Sequence, residues 1–139
     1  MTSPESPVSL IVDSSAVLAI VFQEPEAERF ATAIANARDR SISAVNWLET
    51  MMVAESRFGP ESAAETSLIF DELEIRILPA DAQQMHAARA AWRRFGKGRH
   101  AAGLNLGDCC AYAAAMTEGL PLLFEGEDFR KTDVEVAVW

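Results

Sequence analysis

Leu10-Ile11-Val12 runs without interruption into Asp13-Ser14-Ser15. Three consecutive apolar residues ended by a turn-forming acid predict a strand buried on both faces, as in a parallel sheet. The switch to Asp13 puts a carboxylate where that strand leaves the sheet. Ligand crevices in open α/β sheets form outside the carboxyl ends of the strands, so Asp13 is expected at a site.

The other elements follow the same alternation. Residues 14–22 read as a short helix with Ser14 or Ser15 as cap, and Pro25 suits the start of a helix reaching residue 37. A second strand is expected at 41–45. Asn46 then opens a helix to Phe58, stopped by Gly59-Pro60, and Pro60 opens the next, to Glu72. Residues 75–78 form a third strand, Asp81 caps a helix to Phe95, and the glycine-rich stretch 96–105 is a loop. Gly107-Asp108 leads into an alanine-rich helix ending at Gly119. Residues 122–124 are a fourth strand, 128–133 a turn or short helix, and 134–138 a final strand. Such alternation implies an α/β fold, a mostly parallel sheet of four to five strands with helices on both faces.

The 139 residues suit one domain, expected over 8–139 behind a polar, disordered leader at 1–7. No segment approaches the roughly 20 apolar residues of a membrane span, and the leader lacks the features of a signal peptide. The cysteines, Cys109 and Cys110, are adjacent and unsuited to bridging each other, which points to the cytoplasm. They read as core or interface thiols. A net charge of −9 speaks against non-specific nucleic-acid coating. Yet no acid lies between Asp81 and Asp108, where Arg89, Arg93, Arg94, Lys97 and Arg99 gather five of the twelve basic residues. That window attracts phosphate, or it is a solvated helix face with its loop.

Four acids stand at matching points of the β-α succession. Asp13 follows strand one and Glu49 lies early in the helix after strand two. Asp108 opens the helix after the glycine-rich loop, and Asp128 follows strand four. Right-handed crossovers bring these positions to one sheet edge. Carboxylates gathered there without a cation repel one another; a stable cluster holds Mg²⁺ or Mn²⁺ through hard oxygen ligands. Such an ion polarises a phosphodiester and acidifies water, which is nuclease chemistry. Each acid also has a plainer role. Asp13 can cap the short helix, and Glu49 can close a capping box with Asn46. Asp108 can serve a helix dipole, and Asp128 a turn.

Several stretches together resemble the PIN domain and, within it, the VapC toxins of bacterial toxin–antitoxin pairs. They are Val12-Asp13-Ser14-Ser15-Ala16, Leu48-Glu49, Gly96-Lys97-Gly98-Arg99-His100 with Ala102-Gly103-Leu104-Asn105, Leu106-Gly107-Asp108-Cys109, and Leu122 to Phe129 followed by Lys131-Thr132-Asp133. The likeness runs from Leu10 to Val138. It implies a three-layer α/β/α fold, Mg²⁺- or Mn²⁺-dependent endoribonuclease activity, homodimerisation, and inhibition by a cognate VapB-type antitoxin. Position by position, the family's acids fall on Asp13, Glu49, Asp108 and Asp128. Ser14 stands where many relatives have Thr. Gly126 stands where many have an acid, which leaves Asp128 as the fourth carboxylate with Glu127 as its rival.

On this reading Asp13, Asp108 and Asp128 contact or support the metal, and Glu49 orients water or accepts its proton. Ser15 hydrogen-bonds a ligating carboxylate, or caps a helix. Lys97, Arg99 and His100 meet RNA phosphates, with His100 also a candidate general acid. A PIN-fold binding module without catalysis is the alternative. A phosphatase of the haloacid dehalogenase type is a weaker one, because it needs a second aspartate where Ser15 stands.

Overall fold

The computed structural model describes residues 8–138; the expected leader at 1–7 and the final residue lie outside them. Four strands form one sheet: β1 (Leu10–Val12), β2 (Arg40–Ser43), β3 (Arg76–Leu78) and β4 (Leu122–Leu123). Their order is β3-β2-β1-β4 and every pairing is parallel. Six helices connect and cover them: α1 (Ser14–Val21), α2 (Ala27–Asn36), α3 (Ala44–Phe58), α4 (Ser62–Glu72), α5 (Ala82–Phe95) and α6 (Leu106–Glu118). A 3₁₀ turn, Asp128–Lys131, closes the chain.

Successive side chains of a strand point to opposite faces, and the core divides accordingly. Leu10, Val12 and Leu123 pack with Val17 of α1 and with Phe30 and Ile34 of α2. Ile11 and Leu122 pack on the other face with Phe95 of α5 and the alanine-rich centre of α6. The result is the expected three-layer α/β/α arrangement. The small side chains of α6 let it lie close to its neighbours, and residues Cys109 to Ala115 are all buried. No described helix is long and apolar enough to cross a membrane.

The strand order reverses direction between β1 and β4, and Asp13 lies directly beyond the carboxyl end of β1. A crevice at that edge is what such a switch point creates.

Three expectations need correction. The strand expected over 134–138 is only an isolated bridge between Leu122 and Val136. Leu122 alone pairs with that segment, its N–H donating to the Glu135 carbonyl at 2.8 Å and its carbonyl accepting from the Ala137 N–H at 2.9 Å. Second, α3 starts at Ala44 with Ser43 as its cap, the Ser43 hydroxyl accepting from the Val45 N–H at 3.3 Å. Asn46 is therefore inside the helix, and Glu49 is not its capping-box partner. Third, Pro25 and Pro60 each sit two residues ahead of their helices, in the turns that lead to Ala27 and Ser62.

Candidate active site

Asp13 is 4 % exposed and caps α1. Its Oδ2 accepts from the Ser15 hydroxyl at 2.6 Å and from the Ser15 N–H at 3.1 Å. Burial pushes this carboxyl up to about 7, against the opposing pull of those two hydrogen bonds, and repulsion from Asp108 and Glu49 adds to the rise. The Ser15 hydroxyl also accepts from the Glu125 N–H at 2.9 Å, which ties the segment after β4 to Asp13. Of the two roles that the sequence left open, Ser15 takes the first: it donates to Asp13, and the cap of α1 is Asp13 itself rather than Ser14 or Ser15.

Glu49 projects from α3, half-buried, toward the same place. Its Oε1 accepts from the Ser14 hydroxyl at 2.6 Å. It rests against the start of α6, where a Cβ added to Gly107 would lie 2.7 Å from both carboxylate oxygens. Asn46, one helical turn before Glu49, is fully buried and bridges Ser14 and Gly107 with its amide. Sequence reasoning missed Ser14, Asn46 and Gly107. Their signal was faint: an i, i+3 spacing from Asn46 to Glu49, and a glycine in the first turn of a helix.

Asp108 sits in the first turn of α6. The capping box that the sequence offered to Asn46 and Glu49 is found here instead. The Asn105 side chain accepts from the Asp108 N–H at 2.8 Å, and Asp108 Oδ2 accepts from the Asn105 N–H at 3.0 Å. Burial raises the Asp108 carboxyl, the Asn105 N–H lowers it, and repulsion from Glu49 and Asp128 raises it further. Asp128 opens the 3₁₀ turn, exposed to solvent. Its charge reaches Asp108, while its rival Glu127 pairs with Arg130 at 3.5 Å.

Four segments far apart in the chain therefore bring negative charge within mutual electrostatic reach. Among the described residues, ion pairs join Arg40 to Glu74, Arg94 to Asp133 and Arg130 to Glu127, and none involves these four acids. The oxygen-only donor set and the lack of a basic counter-charge fit a hard divalent cation. As placed, no three Asp, Glu, His or Cys side chains among the described residues stand close enough to share one ion. The fit is one of donor chemistry and charge.

The stretch from Gly96 to Asn105 joins α5 to α6 and leads directly into Asp108. A bridge between Gly96 and Leu104 closes it, with the Lys97 N–H donating to the Leu104 carbonyl at 3.0 Å. Gly98 takes a φ of 83°, in the left-handed region that favours glycine. Arg99 stacks over Trp92, 4.1 Å from the ring centroid, and Lys97 is exposed. His100 is exposed as well, and it is held at one side. Its Nδ1 accepts from the Ala102 N–H at 3.0 Å and its ring meets Phe95 edge-on. The imidazole fastens the loop and lies with Lys97 and Arg99 on its exposed face.

Residues 10–135 match the PIN domain family. Ribonuclease VapC of Mycolicibacterium smegmatis is 48% identical over 125 residues, spanning 90% of this chain and 97% of that protein. Ribonuclease VapC30 of Mycobacterium tuberculosis is 45% identical over 125 residues, spanning 90% and 95%. Among solved structures, M. tuberculosis VapC20, described as a sarcin-ricin loop cleaving toxin, is similar with a TM-score of 0.74 at 17% identity, covering 93% of this chain and 98% of that one. A DNA-bound VapBC from Salmonella typhimurium gives a TM-score of 0.67 at 20% identity, covering 93% and 96%. Those two likenesses concern the fold. With the family matched over nearly all of its length and its acids gathered at the switch point of a parallel sheet, this chain belongs to the PIN domain family, among the VapC ribonucleases.

Proposed function

We propose that the protein is a Mg²⁺- or Mn²⁺-dependent endoribonuclease, the toxin of a type II toxin–antitoxin pair, acting in the cytoplasm. One observation carries this reading: buried Asp13 faces Glu49 and Asp108 with no basic partner, beside a basic loop in a chain of net charge −9. The relatives named ribonucleases agree with it.

Asp13, Asp108 and Asp128 would hold the ion, directly or through water. When bound, a divalent cation polarises the phosphodiester and acidifies a water molecule. Glu49, held by the Ser14 hydroxyl, would orient the attacking water and take its proton as the water oxygen bonds phosphorus, while the ester bond to the leaving ribose oxygen breaks and that oxygen takes a proton from solvent. Ser15 keeps the Asp13 carboxylate in place. Lys97 and Arg99 bind the phosphates of the strand, and His100 holds that loop in shape.

The antitoxin, a VapB-type partner, neutralises the site by placing a basic side chain among the carboxylates, since a guanidinium can satisfy several oxygens at once. The structural likeness to VapBC assemblies favours such a partner. Leu48, Met52 and Leu106, exposed beside Glu49 and Asp108, give it and a second copy of the chain apolar surface to cover.

The test is cleavage of RNA by antitoxin-free protein. Activity is expected with Mg²⁺ or Mn²⁺, none in excess EDTA, and none from folded Asp13→Asn. Undiminished cleavage in EDTA or by that variant overturns the reading. Absence of both cleavage and metal binding in the wild type makes the chain a binding module. Sequencing RNA 5′ ends after brief induction in cells names the substrate.

A further inference from the structure

Both amide hydrogens of Asn46 are committed, and its oxygen is not. One hydrogen goes to the Gly107 carbonyl at 3.0 Å and the other to Ser14 Oγ at 3.1 Å, while Oδ1 has no partner. A carbonyl only accepts, so the nitrogen must face Gly107 and the orientation of the amide is fixed. Asn46 is fully buried, and a buried acceptor without a donor costs stability. A polar group kept despite that cost calls for an explanation other than packing.

Capping does not supply it, because Ser43 caps α3. The explanation lies in what the amide does to Ser14. A hydroxyl has one hydrogen to give. Since Ser14 Oγ receives a hydrogen from Asn46, its own is directed elsewhere. Two acceptors are in reach: Glu49 Oε1 at 2.6 Å and the Asn46 carbonyl at 3.2 Å. The latter already accepts from the Thr50 hydroxyl at 2.7 Å, so the shorter bond to Glu49 takes the hydrogen. The chain of donors runs one way, from Asn46 through Ser14 to Glu49. The second amide hydrogen ties α3 to the start of α6, one residue before Asp108.

We propose that Asn46, acting through Ser14, is a positioning residue that fixes Glu49 and sets the spacing of α3 and α6 at the metal-binding carboxylates. A single carboxamide thereby links the segments that carry Asp13, Glu49 and Asp108. The role rests on the reading of these acids as the metal site.

The test measures Mn²⁺ affinity by calorimetry, alongside kcat and KM for RNA cleavage, in Ser14→Ala, Ser14→Thr, Asn46→Ala and Glu49→Gln. Ser14→Ala is expected to weaken Mn²⁺ binding about tenfold, because Glu49, though not among the residues that would hold the ion, orients the water bound to it. It lowers kcat and leaves KM unchanged, and Ser14→Thr restores both affinity and rate. Asn46→Ala matches Ser14→Ala, and should it fail to fold, the serine variants carry the test. In the Glu49→Gln background, Ser14→Ala adds less than about twofold, because its effect passes through that carboxylate. Wild-type Mn²⁺ affinity in Ser14→Ala, or its full effect persisting without Glu49, overturns the positioning role alone. A wild type that binds no Mn²⁺ and cleaves no RNA overturns the nuclease reading, and the positioning role with it.

Discussion

Gly107 is the floor on which Glu49 rests: a methyl group there would lie 2.7 Å from both of its carboxylate oxygens. The helix that brings Asp108 to the site is thus shaped, one residue earlier, to admit the acid from α3. Gly107→Ala should separate stability from function. The displaced atoms are the end of a flexible side chain, and alanine favours a helix over glycine by up to about 1 kcal/mol. The thermal midpoint is expected to hold or rise, while cleavage falls about tenfold or more as Glu49 is pushed aside. An unfolded variant, or one with wild-type rate, would show that the contact sets nothing.

The buried Asp13 carboxyl makes a second prediction, for metal-free protein. Its value rises from 3.8 in the unfolded chain to about 7 in the fold. The fold therefore favours the protonated form. Stability is greatest below about 4, declines as pH climbs toward 7, and stays low above it. Thermal midpoints in EDTA should fall between pH 4 and 7, and Asp13→Asn should flatten that slope. Mn²⁺ should raise the wild-type midpoint most at the alkaline end, where the ion meets an ionised carboxylate. An unchanged slope in Asp13→Asn would assign the dependence to other groups.

Tyr112 is the chain's one tyrosine, so its titration can be read directly. Its hydroxyl donates to Asp133, which Arg94 also contacts at 3.3 Å. Burial, followed by that hydrogen bond and the Asp133 charge, pushes the phenol up to about 12, while Arg94 opposes. The neutral phenol is the form the fold prefers, so this stabilisation is present below pH 10 and is lost as pH rises toward 12. Ultraviolet titration should show the late ionisation, and Asp133→Asn should bring it down. Tyr112→Phe should cost about 1 kcal/mol in urea unfolding, a modest figure because Asp133 is half exposed.

Cys109 and Cys110 are buried at 2 % and 1 % exposure. Burial, with repulsion from Asp108, pushes the Cys109 thiol up to about 11, and burial raises Cys110 as well. At pH 8 about one Cys109 in a thousand is then a thiolate. Alkylation by iodoacetamide should be slow in native protein and rapid in urea. Fast modification of the folded chain would mean that α6 opens readily.

Much of the architecture was legible because apolar runs and helix stops repeat in register with the β-α alternation. Leu10 to Val12 was readable as a doubly buried strand, Asp81 as a cap, and Gly119 as a helix end, since each depends on neighbours in the chain. Asn46 was misread for the converse reason. Its type suits a helix start, but its partners are Ser14 and Gly107, which only folding brings near. The expected last strand failed on a similar point: Val134 and Val136 have strand-forming side chains, yet the edge they reach offers them Leu122 alone. The acids were legible as a set through their order, while the hydroxyls and glycine that hold them were not.

The putting-together of this site from β1, α3, α6 and the closing 3₁₀ turn carries a consequence for synthesis in the cell. A polypeptide still emerging from a ribosome owns Asp13 and Glu49 long before Asp128 is made, so it holds only part of a pocket. On the nuclease reading, the ribosome that builds this protein is sheltered from its product until Asp128 and the turn that carries it have been translated, which leaves a co-expressed inhibitor time to be waiting.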